Sequence, residues 1–266
     1  MKIIRFRDSS GHIRYGERVN EQSARLLEGN IFENYTVTNQ IVSVGKLLAP
    51  VEPKTILCIG LNYRQHAEET GAKIPEYPVL FIKAVNAINH PGDPIVIPKI
   101  APGQVDYECE LAVIIGKAAK NVSRKEALGY VLGYTCANDV SARRWQKEGG
   151  GKQWCRGKSF DTFCPLGPCL VSSEDIPNPN ALKITTTLNG QTMQDSNTSD
   201  MIFDVPTLIS FLSQGTTLLP GTVILTGTPQ GVGFARNPPI FLQHGDQVNI
   251  EVEGIGVLSN PVQEES

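Results

Sequence analysis

Val105-Asp106-Tyr107-Glu108-Cys109-Glu110-Leu111-Ala112-Val113-Ile114-Ile115-Gly116 is the stretch whose reading decides how the chain folds. Its second half is apolar, rich in β-branched residues and closed by a glycine, the pattern of a strand buried in a core. Side chains alternate across a strand, so Glu108 and Glu110 share one face while Tyr107, Cys109 and Leu111 take the other. Two unpaired carboxylates on a core strand repel each other and lose their hydration. A cation must stand opposite them. A hard divalent metal with oxygen ligands meets that need, and so do arginine or lysine side chains; the stretch alone leaves both open.

A chain of 266 residues fits one large domain, or a large domain with a small appendage. With 24 Lys and Arg against 27 Asp and Glu, the net charge of -3 gives neither a nucleic-acid footprint nor a polybasic membrane anchor. No apolar run approaches the roughly 18 residues of a membrane span. The 25 glycines and 18 prolines imply many turns and a β-rich fold. Cys58, Cys109 and Cys136 lie in strand-like runs, Cys155 sits between Trp154 and Arg156, and the Cys164/Cys169 spacing matches no metal or redox signature. Reduced thiols follow, and with them a reducing compartment. The first 18 residues lack an apolar signal core, and Asp8 and Glu17 oppose a short mitochondrial presequence, so the expected location is cytoplasmic, with mitochondria as the alternative.

Residues 1–52 read as a small β-rich N-terminal domain and 53–266 as the main domain, which carries the candidate chemistry. Lys2 to Arg7 and His12 to Tyr15 form a hairpin, Val44 to Leu48 a short helix, and Ala49 to Pro53 a linker. After a strand over Thr55 to Leu61, Asn62 is a suitable cap for a helix carrying His66 and Glu69. Three residues apart, these two share a helix face. A carboxylate that holds a histidine in one tautomer makes it a general base, although an exposed helix can carry the same pair without chemistry. His12 and His90 read as surface or structural residues in turns. Asp139 ends a second buried strand at a strand-to-helix junction, where it is either an N-cap or a third carboxylate aimed at Glu108 and Glu110. Gly149 to Ser159 imitates a phosphate loop, but five residues separate Gly151 from Gly157 where that loop has four, and no βαβ unit surrounds it. Lys158, on its glycine hinge, is a candidate for an anionic substrate. Asn189-Gly190 marks a hairpin, and Phe203 to Leu212 an amphipathic helix. Thr226-Gly227-Thr228-Pro229-Gln230-Gly231-Val232-Gly233 is either an anion-binding loop or a tight turn.

Taken in order, Asp106-x-Glu108-x-Glu110-Leu111-Ala112, Asn138-Asp139-Val140-Ser141-Ala142-Arg143, Gly157-Lys158-Ser159-Phe160-Asp161-Thr162 and Thr226-Gly227-Thr228-Pro229-x-Gly231-Val232-Gly233 resemble the fumarylacetoacetate hydrolase superfamily over roughly residues 53–262. Gly151-Lys152-Gln153-Trp154 and Phe160 to Pro168 are most similar to its domain-containing protein 2 branch, regarded as oxaloacetate tautomerases. The resemblance implies an α+β fold, a mixed β-sandwich roll with a small N-terminal domain, usually a homodimer. It implies Mg2+ or Mn2+ held by Glu108, Glu110 and Asp139, a His66–Glu69 acid–base dyad, and Lys158 paired with substrate oxygen. Gln146 and Thr228, and more weakly Lys83, match substrate contacts.

Two positions depart from the pattern. Ile59 stands seven residues before His66, where fumarylacetoacetases place a fourth metal carboxylate, which argues against that activity. Arg144 replaces the acid of the Ser-Ala-Arg-Asp motif and alters substrate preference only if it points inward. A small 2-oxo or 1,3-dicarbonyl acid chelated by such a metal reacts through an enolate, shared by tautomerisation, decarboxylation and C–C hydrolysis. Oxaloacetate enol–keto tautomerisation is the expected reaction, with acylpyruvate hydrolysis or oxaloacetate decarboxylation as the alternative. A non-catalytic dimeric binding protein is the rival class.

Overall fold

In the computed structural model, which describes residues 1–266, the Cys109–Ile115 strand lies in the middle of a 12-stranded mixed sheet. It runs antiparallel to Val131–Asn138 on one side and Thr222–Leu225 on the other. All seven of its residues are buried, as a strand covered on both faces requires. The opening stretch is not one strand, however. Val105–Asp106 pairs separately with Ser141–Ala142, and the chain breaks at Tyr107 and Glu108. Polar side chains take over the hydrogen bonds of the break: Asp106 accepts the Tyr107 amide and Asn138 the Glu108 amide.

Beyond Thr222–Leu225 the sheet continues through the parallel strand Thr55–Gly60 to the edge strand Val79–Lys83. In the other direction it runs through Cys164–Ser172 to the first strand, Lys2–Arg7, with Lys2 opposite Val171. The N-terminal strands Ile13–Arg18, Ser23–Gly29 and Tyr35–Ser43 then complete that end. The expected helix over Val44 to Leu48 is instead a strand, Lys46–Leu48, paired with Arg5–Arg7. A second sheet of five strands, from Gln191–Asn197 to Ile95–Ile97, packs over the central strands of the first. The arrangement is the expected α+β sandwich. Tyr134, Leu170, Ile250 and Leu258 are among the apolar side chains buried in its one continuous core, each worth about 1.5–3 kcal/mol for a fully buried large residue.

Helices are short and peripheral. The longest, Val205–Leu212, starts at Asp204, whose Oδ1 accepts the Thr207 amide at 3.0 Å. Against the cost of partial burial, hydrogen bonds from Arg124 and Thr207 hold the Asp204 carboxyl below its ordinary value. Asp204→Ala is expected to lower the unfolding free energy by about 1 kcal/mol in urea titrations near neutral pH. A depressed folded-state pKa stabilises above the unfolded-state value, so the gap between variant and parent should close as pH falls below about 4, through the folded value. Asn62 does not cap the first helix, Arg64–Glu69, whose N-cap is Tyr63. Its amide instead donates to the Phe203 and Thr226 carbonyls and accepts the Phe203 N–H. Ser123, whose hydroxyl donates to Glu126, is followed only by a single 3-10 turn over Ala127–Tyr130.

Candidate active site

Strand register gathers the site. Leu225 lies beside Cys58 in a parallel pair and opposite Ala112 in an antiparallel one, while Cys109 lies opposite Asn138. The start of Cys109–Ile115 therefore meets the ends of Thr55–Gly60, Val131–Asn138 and Thr222–Leu225. Glu108, Glu110, Asp139, the Arg64–Glu69 helix and the Thr226–Gly233 loop converge there.

Carboxylate oxygens of Glu108, Glu110 and Asp139 lie within 4.8 Å of one another, and all three residues are buried. Two of them have cationic partners. Asp139 accepts Lys83 Nζ at 2.5 Å and Lys158 Nζ at 2.7 Å. Glu108 accepts Lys158 Nζ at 2.8 Å and Arg143 Nη1 at 2.5 Å. The lysine and arginine partners read from the opening stretch are present, yet they do not reach Glu110, and the three carboxylates together could hold a metal ion. That carboxylate, 1% exposed, accepts only the Gly227 amide, at 2.6 Å.

The electrostatics follow from this division. Burial opposes ionisation of Glu108, but the Lys158 and Arg143 charges outweigh it and hold the carboxyl down at about 2. For Glu110, burial together with the neighbouring charges of Asp139 and Glu108 pushes the carboxyl well above the usual range. A divalent cation beside it would reverse that balance, and hard oxygen donors suit Mg2+ or Mn2+. These three residues fit such an ion. Lys158, although buried, is kept in its charged form by Asp139 and Glu108.

His66 Nδ1 lies 3.2 Å from Glu69 Oε2, and Glu69 Oε1 accepts the Gly231 amide at 2.9 Å. The pair on the short helix is thereby tied to the glycine loop rather than left on an exposed face. His66, Glu108, Glu110, Gln146, Lys158 and Thr228 line one cavity of about 320 Å³. Thr228 accepts Gln194 Nε2 at 2.8 Å through its hydroxyl oxygen, which leaves the hydroxyl proton free for a ligand. Asp139 and Lys83 lie under the cavity, not in its wall; Lys83 donates to Asp139 and to the Val140 carbonyl. Ile59 is in the wall, and Arg144 is exposed, outside it.

Sequence reasoning assigned no role to Arg143, Asp106, Trp154 or Phe234. Arg143 Nε donates to Asp106 Oδ2 at 2.8 Å, and its Nη2, 2.7 Å from the same oxygen, is poorly aligned and interacts with it as a charge. Asp106 also accepts the Gly233 and Phe234 amides and so locks the glycine loop to the site. Period-2 alternation from Glu108 and Glu110 back to Asp106 was the available signal; nothing in the sequence signalled the reach of Arg143. Trp154 packs against Gly60, where a Cβ would come within 2.2 Å of its ring. Only glycine lets that indole close the cavity wall. Phe234 stands edge-on to His66, with ring centroids 6.5 Å apart.

Residues 55–263 match the family described as fumarylacetoacetate (FAA) hydrolase C-terminal. A Dictyostelium discoideum protein named fumarylacetoacetate hydrolase domain-containing protein 2 homolog is 48% identical over 242 residues, covering 88% of this chain and 79% of that one. A Xenopus laevis protein named oxaloacetate tautomerase fahd2, mitochondrial, is 49% identical over 217 residues, 81% of this chain and 68% of its own. The solved structure titled 2-hydroxyhepta-2,4-diene-1,7-dioate isomerase from Mycobacterium marinum superposes with a TM-score of 0.85 at 38% identity, covering 100% of this chain and 99% of that one. No helix of this chain is long and apolar enough to cross a membrane.

Proposed function

Because the chain belongs to the fumarylacetoacetate hydrolase family and is an enzyme of that superfamily, we propose that it is a metal-dependent oxaloacetate enol–keto tautomerase. The observation that carries the metal is Glu110, a buried carboxylate without a cationic partner beside two that have them. Glu108, Glu110 and Asp139 would hold Mg2+ or Mn2+, which supplies the positive charge that makes a proton next to a 2-oxo group easier to remove.

The chain's own groups do the rest. Glu69 keeps a proton on His66 Nδ1, so the other ring nitrogen exchanges protons with substrate carbon C3. In the ketonising direction His66 gives that carbon a proton while the enol oxygen releases one, and no net proton is consumed. Lys158, charged and buried, faces the oxygen on which negative charge gathers. Gln146 and the free hydroxyl proton of Thr228 orient the substrate carboxylate, while Trp154 and Phe234 keep water from the reacting carbon. Lys83 acts beneath this layer by fixing Asp139 rather than by touching substrate. The homologue's printed name puts that relative in mitochondria, and six free cysteines fit the matrix as well as the cytoplasm. Leu80, Ile82 and Val85, exposed along the edge strand and the turn after it, support a homodimer.

The test is an assay of the purified chain with and without Mg2+ or Mn2+ on three substrates. Decay of enol-oxaloacetate absorbance, without release of CO2 and without cleavage of an acylpyruvate, is the expected result. Faster decarboxylation or acylpyruvate cleavage would replace tautomerisation by one of those reactions at the same residues.

A further inference from the structure

One cation in the cavity wall has no acidic partner. Arg143 and Lys158 are engaged by Asp106, Glu108 and Asp139, whereas the Lys147 ammonium makes no ion pair. Lys147 follows the Arg143–Gln146 helix, and its amide donates to the Arg143 carbonyl at 3.2 Å, one turn away. The turn that sends Arg143 inward to the acids therefore leaves Lys147 at the rim. Its Nζ lies 5.1 Å from the centroid of the Phe234 ring, and Arg143 occupies the same ring at 4.4 Å. Phe234 is itself fixed by its amide on Asp106. The rim cation is thus aimed by an aromatic platform rather than swinging freely in water.

Charge counting says what it is for. With Glu110 ionised, as a bound metal would hold it, Asp106, Glu108, Glu110 and Asp139 face Lys83, Arg143 and Lys158, which leaves one negative charge in the protein interior. A divalent cation turns that into one positive charge, enough for one substrate carboxylate and not for two. We propose that Lys147 binds the second carboxylate of a dicarboxylic 2-oxo acid and so selects it over a monocarboxylic one. This rests on the tautomerase reading and names the group that gives it a dicarboxylate substrate. Lys147 is a specificity residue here, remote from the carbon that exchanges its proton.

The test compares the parent enzyme with Lys147→Met, which keeps the apolar stem over Phe234, and with Lys147→Arg, which restores the charge. Oxaloacetate is set against pyruvate, which lacks the second carboxylate, with enolisation of each followed as deuterium exchange at C3. In Lys147→Met the KM for oxaloacetate should rise about tenfold with kcat nearly unchanged, while pyruvate exchange moves by less than about twofold. Lys147→Arg should recover most of the affinity. Calorimetric binding of malate against lactate, neither of which can enolise, should show the preference for malate lost in Lys147→Met. An unchanged oxaloacetate KM and malate preference, or equal losses on both substrates, overturns the assignment of Lys147 while leaving the tautomerase intact. Failure of the parent enzyme to enolise oxaloacetate overturns the tautomerase, and this assignment with it.

Discussion

Glu110→Gln is expected to abolish stabilisation by Mg2+ and to lower the tautomerase rate by roughly a thousandfold or more, the several kcal/mol that a catalytic metal supplies. Its fold should survive. Without metal the Glu110 carboxyl is already driven towards its neutral form by burial and by Asp139 and Glu108, so an amide of the same shape replaces it at little cost. Asp139→Asn should behave in the opposite way. That change leaves Lys83 buried with no acidic partner and Lys158 with Glu108 alone, and breaking a buried pair costs about 3–5 kcal/mol. Urea unfolding with chelator present distinguishes the two: the Glu110 variant should match the parent and the Asp139 variant should unfold much earlier. With saturating Mg2+ the parent midpoint should rise, by about 2.7 kcal/mol at a hundred times Kd, and the Glu110 variant should not move. A metal response retained in Glu110→Gln would remove Glu110 from the ligand set.

His66→Gln is the second large effect, and it separates proton transfer from metal binding. Removing a positioned general acid–base is expected to slow turnover by about a hundred- to ten-thousandfold. The stabilisation by Mg2+ should stay at the parent value, because the imidazole pairs with Glu69 and makes no hydrogen bond to the three carboxylates. Exchange of the C3 proton into deuterated solvent, read by NMR, is the direct measurement. A variant that keeps the full exchange rate would transfer the role to another group in the cavity. Glu69→Gln should fall between the two, since it holds the ring without touching the carbon.

Much of this was legible in the sequence, and the parts that were not share a physical cause. A run such as Leu111 to Ile115 identifies itself as a buried strand because its hydrophobicity is local. The Asn189-Gly190 hairpin is local too, and the structure has it between Lys183–Leu188 and Gln191–Asn197. Lys46–Leu48 was misread as helix because three residues carry little propensity, and their state is set by pairing with Arg5–Arg7. Asn62 looked like a cap by position, but Phe203 and Thr226, both distant in sequence, claimed its amide with three hydrogen bonds. The carboxylates were visible through the family resemblance. Their counter-ions were not, because the approach of Lys83, Arg143 and Lys158 depends on how separate strands and helices meet. Arg144 illustrates the converse: a conspicuous departure in sequence lies on the solvent side, where it alters nothing in the cavity.

The pairing of Lys2 with Val171 bears on how the chain is made. Lys2 and Ile3 meet Val171 and Leu170 about 170 residues further along the chain, and Thr55–Gly60 waits as long for Thr222–Leu225. At roughly 5–20 residues per second, that delay is on the order of 10 s, far longer than a hairpin needs to close. During it the nascent N-terminal half presents strand edges with no native neighbour, open to pairing with another chain. The Glu110 carboxylate gains its backbone donor only once Gly227, two residues beyond Thr222–Leu225, arrives to meet it. Completion of the site and cover for the Thr55–Gly60 edge therefore arrive together with the segment 222–227, and crowding or chaperone shortage should reduce yield without altering the activity of the molecules that finish.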